Sequence, residues 1–134
     1  MPWSWAQRKL DQSRNYWFVS VHTANRPHVM PVWGVWVDDG FYFSTGKNSR
    51  KSRNLSANPQ CTVCSDNSDE AVIVEGVAEV FGDKVALKKI FLAYKKKYKM
   101  DISDMGEPML LVRPKTVFGL IEKSFPKSAT RWEF

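Results

Sequence analysis

The sequence predicts a mainly β chain, an antiparallel β-barrel of about six to seven strands with short helices at its edges and ends. Three observations carry that expectation. Short runs rich in aromatic and β-branched residues recur along the chain, with turn-forming segments such as Asp38-Asp39-Gly40 between them. The strand-helix alternation of a doubly wound parallel sheet is missing. Strands of this number and length also carry pairing edges, which closure into a barrel removes.

Taken in order, Trp3, Ala6 and Leu10 recur at helical spacing after Pro2, which suits a helix start, so a short helix is expected to end near Arg14. Residues 16–23 read as a strand. Ala24-Asn25-Arg26-Pro27 reads as a turn into a second strand, 28–37, and the two form a hairpin. After Asp38-Asp39-Gly40 a third strand, 41–45, completes a meander. The second strand is apolar on both faces. Val29, Pro31, Trp33, Val35 and Val37 alternate with Met30, Val32, Gly34 and Trp36, so a barrel core is expected on one side and a helix or a partner subunit on the other.

Ser49 is a good cap for a short helix carrying Arg50, Lys51, Arg53, Asn54 and Leu55, stopped before Asn58-Pro59. Strand signals return at 61–65 and 71–81. In the longer run Val72, Val74, Ala78 and Val80 face one way and Glu75 and Glu79 the other, the pattern of a half-buried strand. Asp83 caps a helix whose Leu87, Ile90, Phe91, Tyr94 and Tyr98 form an apolar stripe, opposite a lysine group comprising Lys88, Lys89, Lys95, Lys96, Lys97 and Lys99. A last strand or pair of strands spans 109–121, interrupted near Arg113-Pro114, and the chain ends in Arg131-Trp132-Glu133-Phe134.

The chain's 134 residues suit one domain, 1–134, and 43% hydrophobic with 25% charged residues is a globular balance that argues against disorder. No apolar run approaches the roughly 20 residues of a membrane helix, and residues 1–10 lack a leader pattern, so the reading is cytoplasmic. Two cysteines, Cys61 and Cys64, are too few for a disulfide framework. The net charge of +6 points to anionic partners, and its placement narrows them. Lys47, Arg50, Lys51 and Arg53 fall within seven residues, and no acidic residue occurs between Gly40 and Ser65. A glycine turn, Ser and Asn side chains, the free amides of a helix start and four cations together make a phosphate seat, for which a solvated basic loop is the alternative.

The ordered series Pro31-Val32-Trp33-Gly34-Val35-Trp36, Phe41-Tyr42-Phe43-Ser44-Thr45-Gly46, Ser49-Arg50-Lys51, Asn54-Leu55 and Asn58-Pro59 resembles the pyridoxamine 5'-phosphate oxidase-like superfamily of split β-barrel flavoproteins, in its small FMN- or F420-binding members. The likeness continues through Val74-Glu75-Gly76-Val77-Ala78-Glu79 to Ala129-Thr130-Arg131-Trp132. It implies a homodimeric oxidoreductase with the cofactor between two subunits and hydride transferred at the cofactor's ring, so no catalytic side chain is assigned. Ser49, Arg50 and Lys51 would take the phosphate, the backbone of Pro31, Val32 and Trp33 would run along the ring, and Thr45 would sit beside the ribityl chain or ring edge. Arg131 and Trp132 would reach the partner's cofactor. FMN is placed ahead of F420, whose anionic tail the basic excess would also suit. The chain departs from true pyridoxamine phosphate oxidases: it is shorter and lacks their arginine-histidine grip on the substrate's phosphate.

Two rivals are weighed beside this reading, a carrier or sensor that binds the cofactor without turnover and a nucleic-acid-binding barrel. The second is disfavoured because the cations sit on one turn and not along an aromatic strand face. Cys61-Thr62-Val63-Cys64 has C-x-x-C spacing, but on a strand those positions face opposite ways, against a redox or zinc pair. His22 and His28 read as surface or packing residues, and the lysine face of the third helix as solvated.

Overall fold

The computed structural model describes residues 1–134 throughout. Its elements run α1 Trp3–Gln12, β1 Tyr16–Val21, β2 Pro27–Val32, β3 Val35–Val37, β4 Gly40–Ser44, α2 Arg50–Ala57, β5 Gln60–Ser65, β6 Glu70–Val80, α3 Lys84–Tyr98, β7 Met109–Ile121, a 3-10 turn Glu122–Ser124, and β8 Thr130–Glu133. All eight strands belong to one sheet in the order β2-β1-β5-β6-β7-β4-β3, with β8 also on β7. Every pairing is antiparallel, and the sheet curls into a split barrel.

The eighth strand and the break in the expected second strand are the departures from the sequence reading. Residues 28–37 do not form one strand: β2 ends at Val32, β3 begins at Val35, and the two lie at opposite edges of the sheet, so the expected meander becomes two hairpins. Trp33-Gly34 alone carries the chain from one edge to the other. The crossing needs glycine, because a Cβ on Gly34 would sit 2.2 Å from Cζ of Phe41. Opposite Arg113-Pro114, β6 and β7 stay paired through a register shift between Glu75 and Gly76, where the Gly76 backbone comes so close that a Cβ would lie 2.4 Å from the Arg113 carbonyl oxygen.

The barrel core is built from alternating inward side chains, among them Phe18, Phe41, Phe43, Val63, Val72, Val74, Val112 and Val117, and α1 plugs it with Ala6 and Leu10. Val80, placed with the inward set from its parity, is 73% exposed because it is the last residue of β6 and lies beyond the core. A second cluster, Val35, Ile90, Tyr94, Tyr98 and Met109, lies where α3 covers the outer side of β3 and β4. Asp83 starts that helix as expected, its Oδ1 accepting from the amides of Val85 (3.0 Å) and Ala86 (3.2 Å).

The doubly apolar second strand therefore divides. Its β3 half is covered by α3, whereas its β2 half is open: Val29 is 50% exposed and Met30 42%. The same open face continues across the register-linked row Pro31, Trp17, Cys64, Ile73, Phe118 and Arg131. No helix is long and apolar enough to cross a membrane.

Candidate functional site

The cationic turn forms as its residue types dictate. Ser49 has extended backbone and its Oγ accepts from the Ser52 amide at 3.1 Å, while the Arg53 amide bonds the Ser49 carbonyl at 3.0 Å. The amides of Arg50 and Lys51 remain as free donors of the first turn, with the positive end of the helix dipole behind them. Thr45 Oγ1 lies 3.1 Å from Ser49 Oγ, so the end of β4 and the cap are tied into one polar unit. The ion pairs of the chain are Lys9–Glu70, Lys89–Asp38, Arg113–Glu79 and Arg131–Glu133; Lys47, Arg50, Lys51 and Arg53 enter none of them. No carboxylate of the chain pairs with these four cations.

On one side of this turn lies a groove of about 270 Å³ lined by His22, Thr23, Arg50, Arg53 and Asn54, with no apolar residue. Its floor is fixed by Asn54, 3% exposed, whose side-chain amide donates to Ser20 Oγ at 3.0 Å. Loss of solvent and then Arg26, Arg50 and Arg53 hold the His22 imidazole below its ordinary pKa, while its Nδ1 accepts from the Ala24 amide at 3.0 Å. His28 is held down in the same direction, by loss of solvent and then Arg50 and Lys51, and its Nδ1 is buried without a partner. Neither histidine was expected at the site. They come from the first hairpin, more than twenty residues upstream of the turn, and only the fold brings them to it.

On the other side is a cleft of about 350 Å³ of opposite character, between Trp33 and Tyr94 and the segment carrying Met100, Ile102 and Met105. Thr45 and Gly46 belong to its wall. Trp33, 37% exposed, is held in place from behind: its ring stacks on Tyr98 with centroids 4.4 Å apart and planes 7° apart, and its carbonyl accepts from the Tyr94 hydroxyl at 3.0 Å. The Arg14 guanidinium lies over both rings of the stack, at 5.5 and 5.3 Å.

The last turn of α3 also clamps Gly34. The Gly34 amide donates to the Tyr98 hydroxyl at 2.9 Å. That phenol has one proton, and the shorter of its two acceptors is the Arg14 carbonyl at 2.7 Å, so the Gly34 carbonyl is served by Lys97 Nζ at 3.0 Å. Lys97 donates as well to the Tyr16 hydroxyl at 2.7 Å, which itself donates to the Leu10 carbonyl. Lys97 thus leaves the solvated lysine face expected for it. Burial, offset in part by Asp11 and Asp66, pulls its pKa down to about 8. Burial also raises the Tyr16 and Tyr94 phenols above their usual range, so both stay protonated.

Of the residues expected to bind a cofactor, Trp33, Thr45, Ser49, Arg50 and Lys51 come together around the turn, with Pro31 and Val32 on the adjoining open edge of β2. Arg131 and Trp132 do not join them within one chain. Arg131 is exposed at the far end of the row that begins at Pro31, five strand spacings away, or about 24 Å along the sheet. Trp132 packs edge-on against Trp3 at 5.4 Å and covers Gly119. Cys61 is buried, its thiol pushed up to about 12 by burial, and Cys64 is on the opposite face, the arrangement expected of strand residues three apart. No group of three or more His, Cys, Asp or Glu side chains is placed to hold a metal ion.

Comparison with known proteins gives a consistent picture of this architecture. The sequence matches the pyridoxamine 5'-phosphate oxidase family over residues 6–120. No curated protein matches it. Among solved structures, a conserved hypothetical protein from Mycobacterium tuberculosis superposes with a TM-score of 0.78 at 18% identity, covering 92% of this chain and 86% of the other. An F420 reductase gives 0.68 at 21% identity, covering 83% and 94%. A heme storage protein from Vibrio cholerae gives 0.72 at 14% identity, covering 87% and 92%. At these identities the likeness is one of fold, and function does not follow from it.

Proposed function

The chain belongs to the pyridoxamine 5'-phosphate oxidase family, and from that premise we propose that it is an FMN-binding oxidoreductase exchanging hydride with a small molecule. The observation that carries the reading is the turn at Ser49-Arg50-Lys51: cations without ion-pair partners and free helix-start amides directly beside an exposed aromatic ring and an open strand edge. An anionic group joined to a flat ring system needs a cationic seat with open strand backbone beside it. The buried, unpartnered Nδ1 of His28 beside Arg50 and Lys51 is a further polar atom that a bound ligand would satisfy.

In this reading Ser49, Arg50 and Lys51 hold the phosphate, Pro31, Val32 and Trp33 offer backbone along the ring, and Thr45 sits beside it. The flavin, when bound, supplies the hydride chemistry. The chain's own work is to bind, orient and exclude water, and the clamp from Tyr94, Lys97 and Tyr98 keeps Trp33 in one position for it. The open face supports a homodimer. Trp17 and Val29 are each about half exposed there, and a two-fold partner laid across the face could carry its own Arg131 to the Pro31 end that this chain's Arg131 cannot reach.

F420 is the second reading, favoured by the groove at His22, Arg50 and Arg53. One phosphate leaves part of that cationic lining unused, and a longer anionic tail would occupy it. Titration with FMN and with F420, followed by absorbance and fluorescence, separates the two. Lys51→Ala removes a charge-assisted bond worth about 1.5–3 kcal/mol, so affinity should fall roughly ten- to hundred-fold with the urea midpoint unchanged. Unchanged affinity, or binding of neither cofactor, overturns the assignment. Reduction of the bound cofactor by a nicotinamide donor, then reoxidation by added acceptors, distinguishes an enzyme from a carrier.

A further inference from the structure

We propose that the cleft between Trp33 and the segment 99–108 binds a small neutral or cationic aromatic molecule, the reaction partner of the cofactor; its role as partner rests on the flavin reading above. The cleft lies next to the cationic turn but shares none of its chemistry. At about 350 Å³ it falls in the lower part of the range of small-molecule sites. Trp33, Tyr94, Met100, Ile102 and Met105 supply its apolar surface, and Glu107 is its one charged residue.

The two walls differ in stiffness. On one side Trp33 is fixed by its stack on Tyr98 and by the bond from Tyr94, which gives a flat, immobile surface against which an aromatic ring loses little further entropy. On the other side Met100 and Met105 are 46% and 60% exposed, in a segment outside any helix or strand. Their thioethers adapt to the outline of a guest, as unbranched side chains at binding surfaces do. Together with Trp33 they leave apolar surface in water around a concavity, an arrangement that an occupant would relieve.

Charge selects the occupant. Glu107 Oε2 accepts from the Lys47 amide at 3.2 Å, which fixes the carboxylate at the rim, and no Lys or Arg lines the cleft to neutralise it. A carboxylated or phosphorylated guest is repelled there, while a neutral or cationic ring is accepted. The groove beyond Ser49 has the reverse preference. The chain thus presents an anion seat and an anion-averse aromatic seat on either side of Thr45 and Ser49, so that the charged end of one ligand and the body of another are sorted without competing.

Calorimetric titration of the FMN-loaded protein with 2-naphthol, 2-naphthoate and 2-(aminomethyl)naphthalene tests this. Naphthol and the amine should bind one to one, and naphthoate about ten-fold more weakly through repulsion by Glu107. Glu107→Gln should close that gap, and Met105→Glu should weaken naphthol about ten-fold while a separate titration finds FMN affinity unchanged. No saturable binding, equal affinity for naphthoate, or indifference to Met105→Glu overturns the proposal. So does displacement of naphthol by FMN, which would make the cleft the seat of the flavin ring itself. If FMN does not bind but naphthol does, with the same dependence on Met105, the aromatic site stands and the flavin reading alone falls.

Discussion

Replacing Tyr98 by Phe keeps the ring stacked on Trp33 and removes one oxygen atom from the last turn of α3. That oxygen accepts from the buried Gly34 amide at 2.9 Å and donates to the Arg14 carbonyl at 2.7 Å. The Gly34 amide has no other acceptor, because the crossing it occupies lies outside every strand pairing. A buried donor left unmet costs about 1–3 kcal/mol, whereas the Arg14 carbonyl, nearer the surface, recovers a bond from water. The expected loss is therefore about 2 kcal/mol, or roughly 6–8 °C in Tm for a chain of this size. Urea unfolding followed by tryptophan fluorescence measures it, with an unchanged m-value confirming that the native state alone is affected. A loss below about 0.5 kcal/mol would refute the claim that this phenol fastens the Trp33-Gly34 crossing.

Ser49→Ala removes the cap of α2 and should cost about 1 kcal/mol in the same assay, with a smaller loss in Ser49→Asp, which can still cap. Lys97→Met tests the buried amine. Its pKa is lower in the folded chain, about 8, than unfolded, so between pH 8 and about 10 the unfolded state binds more protons and stability should rise with pH. Solvent at a half-buried amine holds that rise to on the order of 1 kcal/mol, and the variant should lose it. Trp17→Glu places a charge one strand in from the Pro31 end of the open row and, if the proposed two-fold contact covers that row, should give monomers in sedimentation; an unchanged dimer mass would put that contact elsewhere.

The strands and helices were legible because their signals are local. The cap at Asp83, the apolar stripe of α3 and the alternation of β6 up to Ala78 each depend on residues within a few positions of one another. The break at Trp33-Gly34 was not legible, since the reason for it is Phe41 on one side and Tyr98 on the other, the latter 64 residues away. β8 was missed because Thr130–Glu133 is too short to show a period and is a strand only by pairing with β7. The capped cationic turn could be read directly, as a run of cations after a capping serine with no acidic residue nearby. Lys97 could not, because in the sequence it is one of six neighbouring lysines and its inward course depends on the phenol of Tyr16. That His22 and His28 lie beside Arg50 could not be read either, because that proximity is a property of the folded hairpin.

The passage from β2 to β3 leaves a slit in the wall that no rung of the ladder spans, kept shut by two phenols and an amine. A barrel laced all the way round can part only by surrendering a whole row of amide bonds at once. Here the wall is closed at one place by side chains alone, so loss of those bonds would free Trp33 and Gly34 while every strand keeps its neighbours. Deuterium uptake at Gly34 should accordingly speed up in Tyr98→Phe while that of β5, β6 and β7 stays unchanged, because only the fastening beside Trp33 is lost.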